Sequence, residues 1–475
     1  MEAVGRLVLA NTRVSRAIFV LLMVCVARSG SGIELRRAPY LLHQRPDGVT
    51  VRWRTSDLHH TSVLRYGDTP YVLDHAVAAT QTRQHFPGVQ DWEAVVEGLE
   101  PDTQHFYAVE GDQAVLAGAD DSHSFWTAPA VGSEQKVRLW LLGDSGSNRP
   151  REGDIEAVLQ MHGPTGPVQV RNGFRRFNAG RKLDGIVLLG DNAYPWGSDG
   201  EYQTAFFGIY ADELRRTPLW PVIGNHDMDD AYRHIFSPEP ARDGAPGSGS
   251  EYYYSFDIAN VHVVALDAWK SWWEVTTDPA HIPWRKEVAW LEADLAATAA
   301  ATDSAPGATW TVVVCHFPLY CDGNYDSDTN EPLKLLREEL IPVLDRFGVD
   351  LYVAGHDHTY QRSYLIGGHR GTRDTFDPDK HLVSASTGRG DPIMKRAGAD
   401  SGTVHIVSGT GSGTRPNGAF AHPVMVPITD APDAPRGVAL PGSLLLQIQG
   451  STLEGWQVDD DGNAVDHFRM EKVLE

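Results

Sequence analysis

The chain has 475 residues, which is long for one domain and suits two or three. Its 41% hydrophobic and 22% charged residues are those of a folded globular protein, and a formal net charge of −22 argues against nucleic acid or an anionic membrane surface as partner. An anionic substrate would need a local reversal of that field, which bound metal cations supply.

In chain order, Arg6, Arg13 and Arg16 precede an apolar run from Ala17 to Ala27, and small residues follow at Ser29, Gly30 and Ser31. This is the pattern of a secretory signal over residues 1–29, with an apolar run short for a membrane span. The mature protein is therefore expected to be secreted or extracytoplasmic, with no stable membrane insertion. Cys25 would leave with the signal, so that Cys315 and Cys321 remain either as a pair or as two buried thiols.

Residues 33–129 read as an all-β sandwich domain. Val49, Val51 and Trp53 alternate with polar residues, Val95 and Val96 lead into Leu99, and a Pro101-Asp102 turn precedes His105 to Val109. The spacing of Leu99, Pro101 and Thr103 resembles late strands of fibronectin type III domains, with His105 where a tyrosine is usual. Residues 135–475 change in texture to apolar strands alternating with amphipathic helices, the mark of a layered α/β domain. Strands are expected at Val137 to Leu142, Ile186 to Leu189, Trp220 to Ile223, Val261 to Leu266, Thr311 to Val314, Leu351 to Ala354 and Thr403 to Ser408. Helices are expected at Asp154 to Met161, Tyr202 to Leu214, Trp284 to Ala300 and Pro332 to Phe347. The Gly- and Pro-rich stretch from Thr372 to Gly442 reads mostly as ordered loops, followed by closing strands at Ser443 to Gln449, Leu453 to Val458 and near Phe468.

Five polar clusters follow strands in this order: GDSG at Gly143 to Gly146, GDNAY at Gly190 to Tyr194, GNHD at Gly224 to Asp227, VVCH ending at His316, and GHDH at Gly355 to His358. Each is weak alone, since Gly-Asp is ordinary turn chemistry and a lone HxH is more often structural than ligating. Together they place carboxylates, an amide oxygen, imidazoles and a phenol at strand ends, a donor set for hard or borderline metals. Open α/β sheets bind ligands at that edge.

The set GDxG, GDxxY, GNH, VxxH and GHxH resembles the purple acid phosphatases of the binuclear metallophosphoesterase superfamily, over roughly Val137 to Tyr360. The resemblance implies an N-terminal all-β sandwich followed by an α/β layered metallophosphoesterase domain, a ββ sandwich flanked by helices. It implies Fe(III) on Asp144, Asp191, Tyr194 and His358, and a divalent Zn, Fe or Mn on Asp191, Asn225, His316 and His356, with Asp191 bridging. His226 would be the catalytic outer-sphere histidine. The activity implied is that of an exported acid phosphatase hydrolysing small-molecule phosphate monoesters by attack of a metal-bound hydroxide on phosphorus. A diesterase acting on nucleotide or lipid head-group diesters, and a phosphate-binding protein without turnover, are the competing readings. A homodimer is left open.

Two departures stand out. Gly146 occupies the place where the wider superfamily writes the histidine of DxH, and Tyr194 is expected to supply the missing donor. The loop Phe317 to Asp328 lacks the histidines that plant-type members carry there, leaving Tyr325, Asp322, Asp326, His234 or His422 as substitutes. Asp227 is expected either to orient His226 or to cap a helix. Tyr252 to Tyr254 read as a strand, and Trp269, Trp272, Trp273 and Trp284 as core or as a roof over the site.

Overall fold

Alternation in Gly48–Ser56 sends Val49, Val51 and Trp53 into the core of a β sandwich, where they meet Leu41, Trp92, Tyr107 and Phe125. The computed structural model describes residues 33–56, 61–82, 86–146, 166–237, 247–269, 282–304, 309–431 and 433–473. The signal segment, the helix expected over Asp154 to Met161, and Trp272 and Trp273 lie outside the described residues. One sheet of the sandwich joins Leu35–Arg45, Gly48–Ser56, Val89–Val96 and Thr80–Gln81; the other joins His75–Ala78, Ser62–Gly67, Gln104–Gly111 and Ala114–Gly118, with Ser124–Trp126 on Gln104–Gly111. The polar residues that alternate with the core residues are also buried. Arg52 and Arg54 are 6% and 4% exposed because that face packs on the rest of the chain: Arg52 donates to the Ile235 carbonyl, and Arg54 pairs with Asp199.

The first sheet does not stop there. Leu42 pairs in parallel with Leu219, so an eleven-stranded sheet continues through Leu219–Trp220, Gly185–Leu188, Val137–Leu142, Gly442–Gln449, Thr452–Asp459 and Ala464–Val473 to Ile393–Arg396. A second, seven-stranded sheet runs Tyr254–Ile258, Val261–Ala265, Trp310–Cys315, Leu351–Ala354, Thr403–Ser408, Tyr360–Ile366 and Leu382–Ser384. Leu139, Leu141, Val187, Val263, Val312, Val353 and Ile406 fill the space between the sheets. The outer face of the second sheet is covered by Ile282–Ser304 and by Glu331–Phe347, whose start Asn330 caps through its side chain to the Leu333 N–H. Pro167–Asn178, Gly208–Leu214 and Ala231–Phe236 cover the first. Strands covered on both faces explain the unbroken apolar runs. Among the described residues no helix is long and apolar enough to cross a membrane.

Several expectations are corrected. The strand expected at Trp220 to Ile223 is only Leu219–Trp220, because Pro221 has no N–H for the ladder. Of the three tyrosines, only Tyr254 enters a strand. The helix Pro167–Asn178 escaped the sequence reading because Gly173 interrupts its pattern; there a Cβ would lie 2.4 Å from the Asp459 carbonyl oxygen, so the helix needs glycine to sit against that turn. Of the alternatives left open, Cys315 and Cys321 are buried free thiols rather than a disulfide, and Trp284 is core.

Candidate metal centre

Register builds the site before any side chain is considered. Leu142 pairs with Leu188 in parallel strands, so the turns that follow lie side by side: the Asp144 N–H donates to the Gly190 carbonyl and the Gly146 N–H to that of Asp191. In the second sheet Cys315 pairs with Ala354, which brings His316 next to Gly355, and the Gly355 N–H donates to the His316 carbonyl. Asp144, Asp191 and His356 adopt φ of 54°, 55° and 66°, a left-handed conformation costly for non-glycine residues and common at functional sites. At Gly190, with φ 87°, a Cβ would lie 2.4 Å from Nδ1 of His316. Glycine there lets the imidazole seat directly on the turn.

The side chains converge. The Tyr194 hydroxyl oxygen lies 3.0 Å from Asp191 Oδ2, 3.2 Å from Asp144 Oδ1 and 3.3 Å from His358 Nε2. His316 Nε2 is 3.1 Å from Asn225 Oδ1 and 3.4 Å from Asp191 Oδ1. His316 Nδ1–H donates to the Leu189 carbonyl, which turns the Nε2 lone pair toward these groups. The His356 and His316 rings are 5.1 Å apart, and the His356 N–H donates to Asp144 Oδ2. Asp144, Asp191, Tyr194, His316, His356 and His358 are buried, while Asn225 and His226 are half-buried. Thus all seven expected donors meet at one place. Gly146 makes it fit: a Cβ there would lie 2.8 Å from the Tyr194 ring. A side chain at position 146 and the Tyr194 ring cannot share this space.

These contacts test whether a cation suits the cluster. One hydroxyl proton cannot satisfy two carboxylates and an imidazole, and donor atoms of Asp144, Asp191 and His316 all lie within 4.8 Å of one another. Burial, then the charges of Asp191 and Asp144, push the Tyr194 phenol well above its ordinary pKa. Burial and the neighbouring His316, His358 and His226 hold His356 well below the ordinary histidine value, which disfavours its protonated form. On His316 burial acts downward, but the Asp191 and Asp144 carboxylates outweigh it and the net shift is upward. Hard oxygen donors and imidazole nitrogens around a concentration of negative charge fit two cations.

Around the cluster, His226 is held by Nδ1–H donating to the Pro195 carbonyl at 2.8 Å, with Nε2 4.0 Å from Asp191 Oδ2 and its ring 4.5 Å from that of Tyr194. Asp227 neither orients the His226 ring nor caps a helix. Its buried carboxylate accepts from the N–H groups of Gly224 and Asn192, the Asn192 side chain and the Tyr202 hydroxyl, which locks the GNHD turn to the GDNAY turn. Burial and the Asp191 charge raise its pKa to about 7.

Among the candidates for the missing histidines, only Tyr325 reaches the cluster, stacked on His356 at 4.4 Å with the planes 3° apart. Its N–H and that of Asn324 donate to Asp357 of GHDH, which fixes the loop over the site. Asp322 and Asp326 are turned away to Arg373, His422 is paired with Asp328, and His234 packs on Phe86 of the N-terminal sandwich. Sequence reasoning missed Arg415. Its N–H donates to the His358 carbonyl, and its charge is near enough to act downward on the hydroxyls of both Tyr194 and Tyr325. It lies on the exposed rim.

Comparison with known proteins agrees with this geometry. Residues 137–360 match the calcineurin-like phosphoesterase family, and residues 39–130 match the purple acid phosphatase N-terminal domain. The chain is a purple acid phosphatase-like metallophosphoesterase. It is 28% identical to purple acid phosphatase 21 of Arabidopsis thaliana over 327 residues, 66% of this chain and 64% of that one, so it spans a little under two thirds of this relative's length. It is 27% identical over 419 residues to an uncharacterised protein of Mycobacterium tuberculosis, covering 79% of this chain and 69% of that one. A purple acid phosphatase from yellow lupin seeds superimposes with a TM-score of 0.64 at 17% identity, over 92% of this chain and 75% of that chain. The family's N-terminal β domain and α/β metallophosphoesterase fold are both present.

Proposed function

We propose that the chain is an exported, binuclear metal-dependent acid phosphatase acting on small-molecule phosphate monoesters. The observation that carries the reading is the Tyr194 hydroxyl, set between Asp144, Asp191 and His358 at 3.0–3.3 Å. Asp144, Asp191, Tyr194 and His358 would hold Fe(III), and Asp191, Asn225, His316 and His356 a divalent Zn, Fe or Mn, with Asp191 shared. Bound there, the ions supply Lewis acidity toward a phosphoryl oxygen and lower the pKa of water.

The chain's own residues supply the rest. His226, fixed by Nδ1–H on the Pro195 carbonyl, turns Nε2 toward the cluster, where it can carry a proton to the leaving alkoxide. Arg415 on the rim offers the guanidinium that a phosphate dianion pairs with, and Tyr325 offers a hydroxyl and a ring face beside His356. A cation on the rim favours the more highly charged monoester over a diester, and matched aryl mono- and diesters test that preference. The signal-like segment, Arg6 to Ser31, supports export.

The central test is an elemental analysis and visible spectrum of the purified protein. One iron and one second metal per chain are expected, with a visible charge-transfer band in the oxidised protein that Tyr194→Phe abolishes. An active, colourless oxidised protein, unchanged by Tyr194→Phe, removes the iron–tyrosinate assignment.

A further inference from the structure

Where the N-terminal sandwich meets the outer face of the first sheet lies a half-open cavity of about 750 Å³, a size that suits a small organic ligand. No donor of the metal centre lines it. Its charged lining is four cations, Lys136, Arg138, Arg181 and Lys182, against two carboxylates, Asp102 and Asp184. An excess of positive charge is unexpected in a chain of net charge −22.

Arg138 makes the imbalance specific. It is 6% exposed, and its guanidinium donates only to neutral amide oxygens, those of Gln447 and Asn178, while Nε has no partner. The carboxylate beside it, Asp184, is engaged by the Arg138 backbone N–H and by Lys182. Burial, then the charge of Arg181, pulls the Arg138 pKa down, the signature of a cation short of counter-charge. Other buried arginines show what a purely architectural guanidinium looks like here. Arg37 pairs with Asp199, Arg52 with Glu93, and Arg54 with Asp91 and Asp199. Even in the adjoining hollow, Arg175 and Arg215 are balanced by Asp212 and Glu213.

The cavity walls add a second recognition element. Trp126, Phe177 and Trp456 line it; Trp126 carries Lys182 Nζ at 4.4 Å from its ring, and Trp456 is backed on one face by His467 at 4.9 Å and 4°. Aromatic faces beside cationic groups are the chemistry that holds a flat heterocycle with a phosphate attached.

We infer that this cavity is a second, non-catalytic site for a nucleoside phosphate, with the phosphate toward Lys136, Arg138 and Arg181 and the base against the tryptophans. The inference does not depend on the reading of the metal centre. It is tested with a photoactivatable, non-hydrolysable ADP analogue on the full metal-loaded chain, mapping the labelled peptides. Label is expected on peptides containing Trp126, Phe177 or Trp456, and is expected to need a concentration at least about tenfold higher in the variant Lys136→Gln with Arg181→Gln. Both positions are exposed, so this variant leaves the buried Arg138 contacts in place. Unlabelled ADP should protect far better than inorganic phosphate at equal concentration. Label confined to other peptides, or undiminished in the double variant, overturns the site, and equal protection by inorganic phosphate overturns the nucleoside.

Discussion

The strand ends that gather Asp144 and Asp191 and the cavity that holds Arg138 both bury charge, with opposite sign and the same kind of support. Asp144 and Asp191 accept from the backbone N–H groups of His356 and His226, and Arg138 donates to amide oxygens. Neutral partners fix geometry without cancelling charge, so a field remains for a ligand to answer. The fully buried Arg362–Asp466 pair, at 2.8 Å, and the Arg54–Asp199 pair behave differently. There charge answers charge, and the result joins strands or domains. Whether a buried ion is held by neutral groups or by its opposite therefore separates binding sites from architecture in this fold.

The largest effect is expected at the negative cluster. Asp191→Ala removes the carboxylate that faces Tyr194, His316 and the His226 N–H, and should lower kcat/KM on an aryl phosphate at least about a thousandfold, with loss of bound metal in the same preparation. Retention of activity within about tenfold would place the chemistry elsewhere. Next is the closed network. Asp199→Asn leaves Arg37 and Arg54 short of a partner across the interface between the sandwich and the rest of the chain, and should cost about 3 kcal/mol in urea unfolding without altering metal content. A cost near zero would show that this pairing is not what holds the interface. On the rim of the metal centre, Arg415→Met should raise KM about tenfold while kcat changes less, as loss of a substrate-binding charge predicts. A fall in kcat alone would assign Arg415 to the chemical step.

Legibility in the sequence followed the same division. The ligand cluster could be read because its five motifs follow apolar runs, four of them through a glycine, and because strand register needs no side-chain knowledge to bring Asp144 beside Asp191 or His316 beside His356. Asp227 was noticed but misassigned, since its partners Asn192 and Tyr202 lie more than twenty residues upstream and share no periodicity with it. Arg415 was invisible: it sits in a Gly- and Pro-rich loop that backbone bonds tie to Gly143, Gly323 and His358, all distant in sequence. The cavity cations come from a strand, its flank and the turn after a helix, and only the packing of the sandwich against the first sheet makes them neighbours. The fold was legible where the apolar pattern was long. It failed at Tyr360–Ile366, a strand between loop-like stretches that is recognisable only through its pairing with Thr403–Ser408.

A third kind of burial, of a group that stays neutral, sharpens the comparison through pH. His405 is 2% exposed between Tyr320 and Tyr352, and burial, then the charges of Arg337 and His369, lowers its pKa to about 3. An unfolded histidine titrates near 6.5, roughly its ordinary value. The unfolded chain therefore gains a proton that the folded chain refuses as pH falls below that value. The stability His405 permits is complete above about pH 6.5 and is lost progressively toward about pH 3, at a limiting slope of about 1.4 kcal/mol per unit. His405→Phe keeps an aromatic ring and removes the titration, so it should flatten the fall in urea-unfolding free energy between about pH 6.5 and 5.5 by about 1 kcal/mol. An unchanged slope would mean that His405 is not held neutral. The acid sensitivity of the fold would then have to come from groups such as His43, lowered likewise to about 3 by burial and by Arg52 and Arg45.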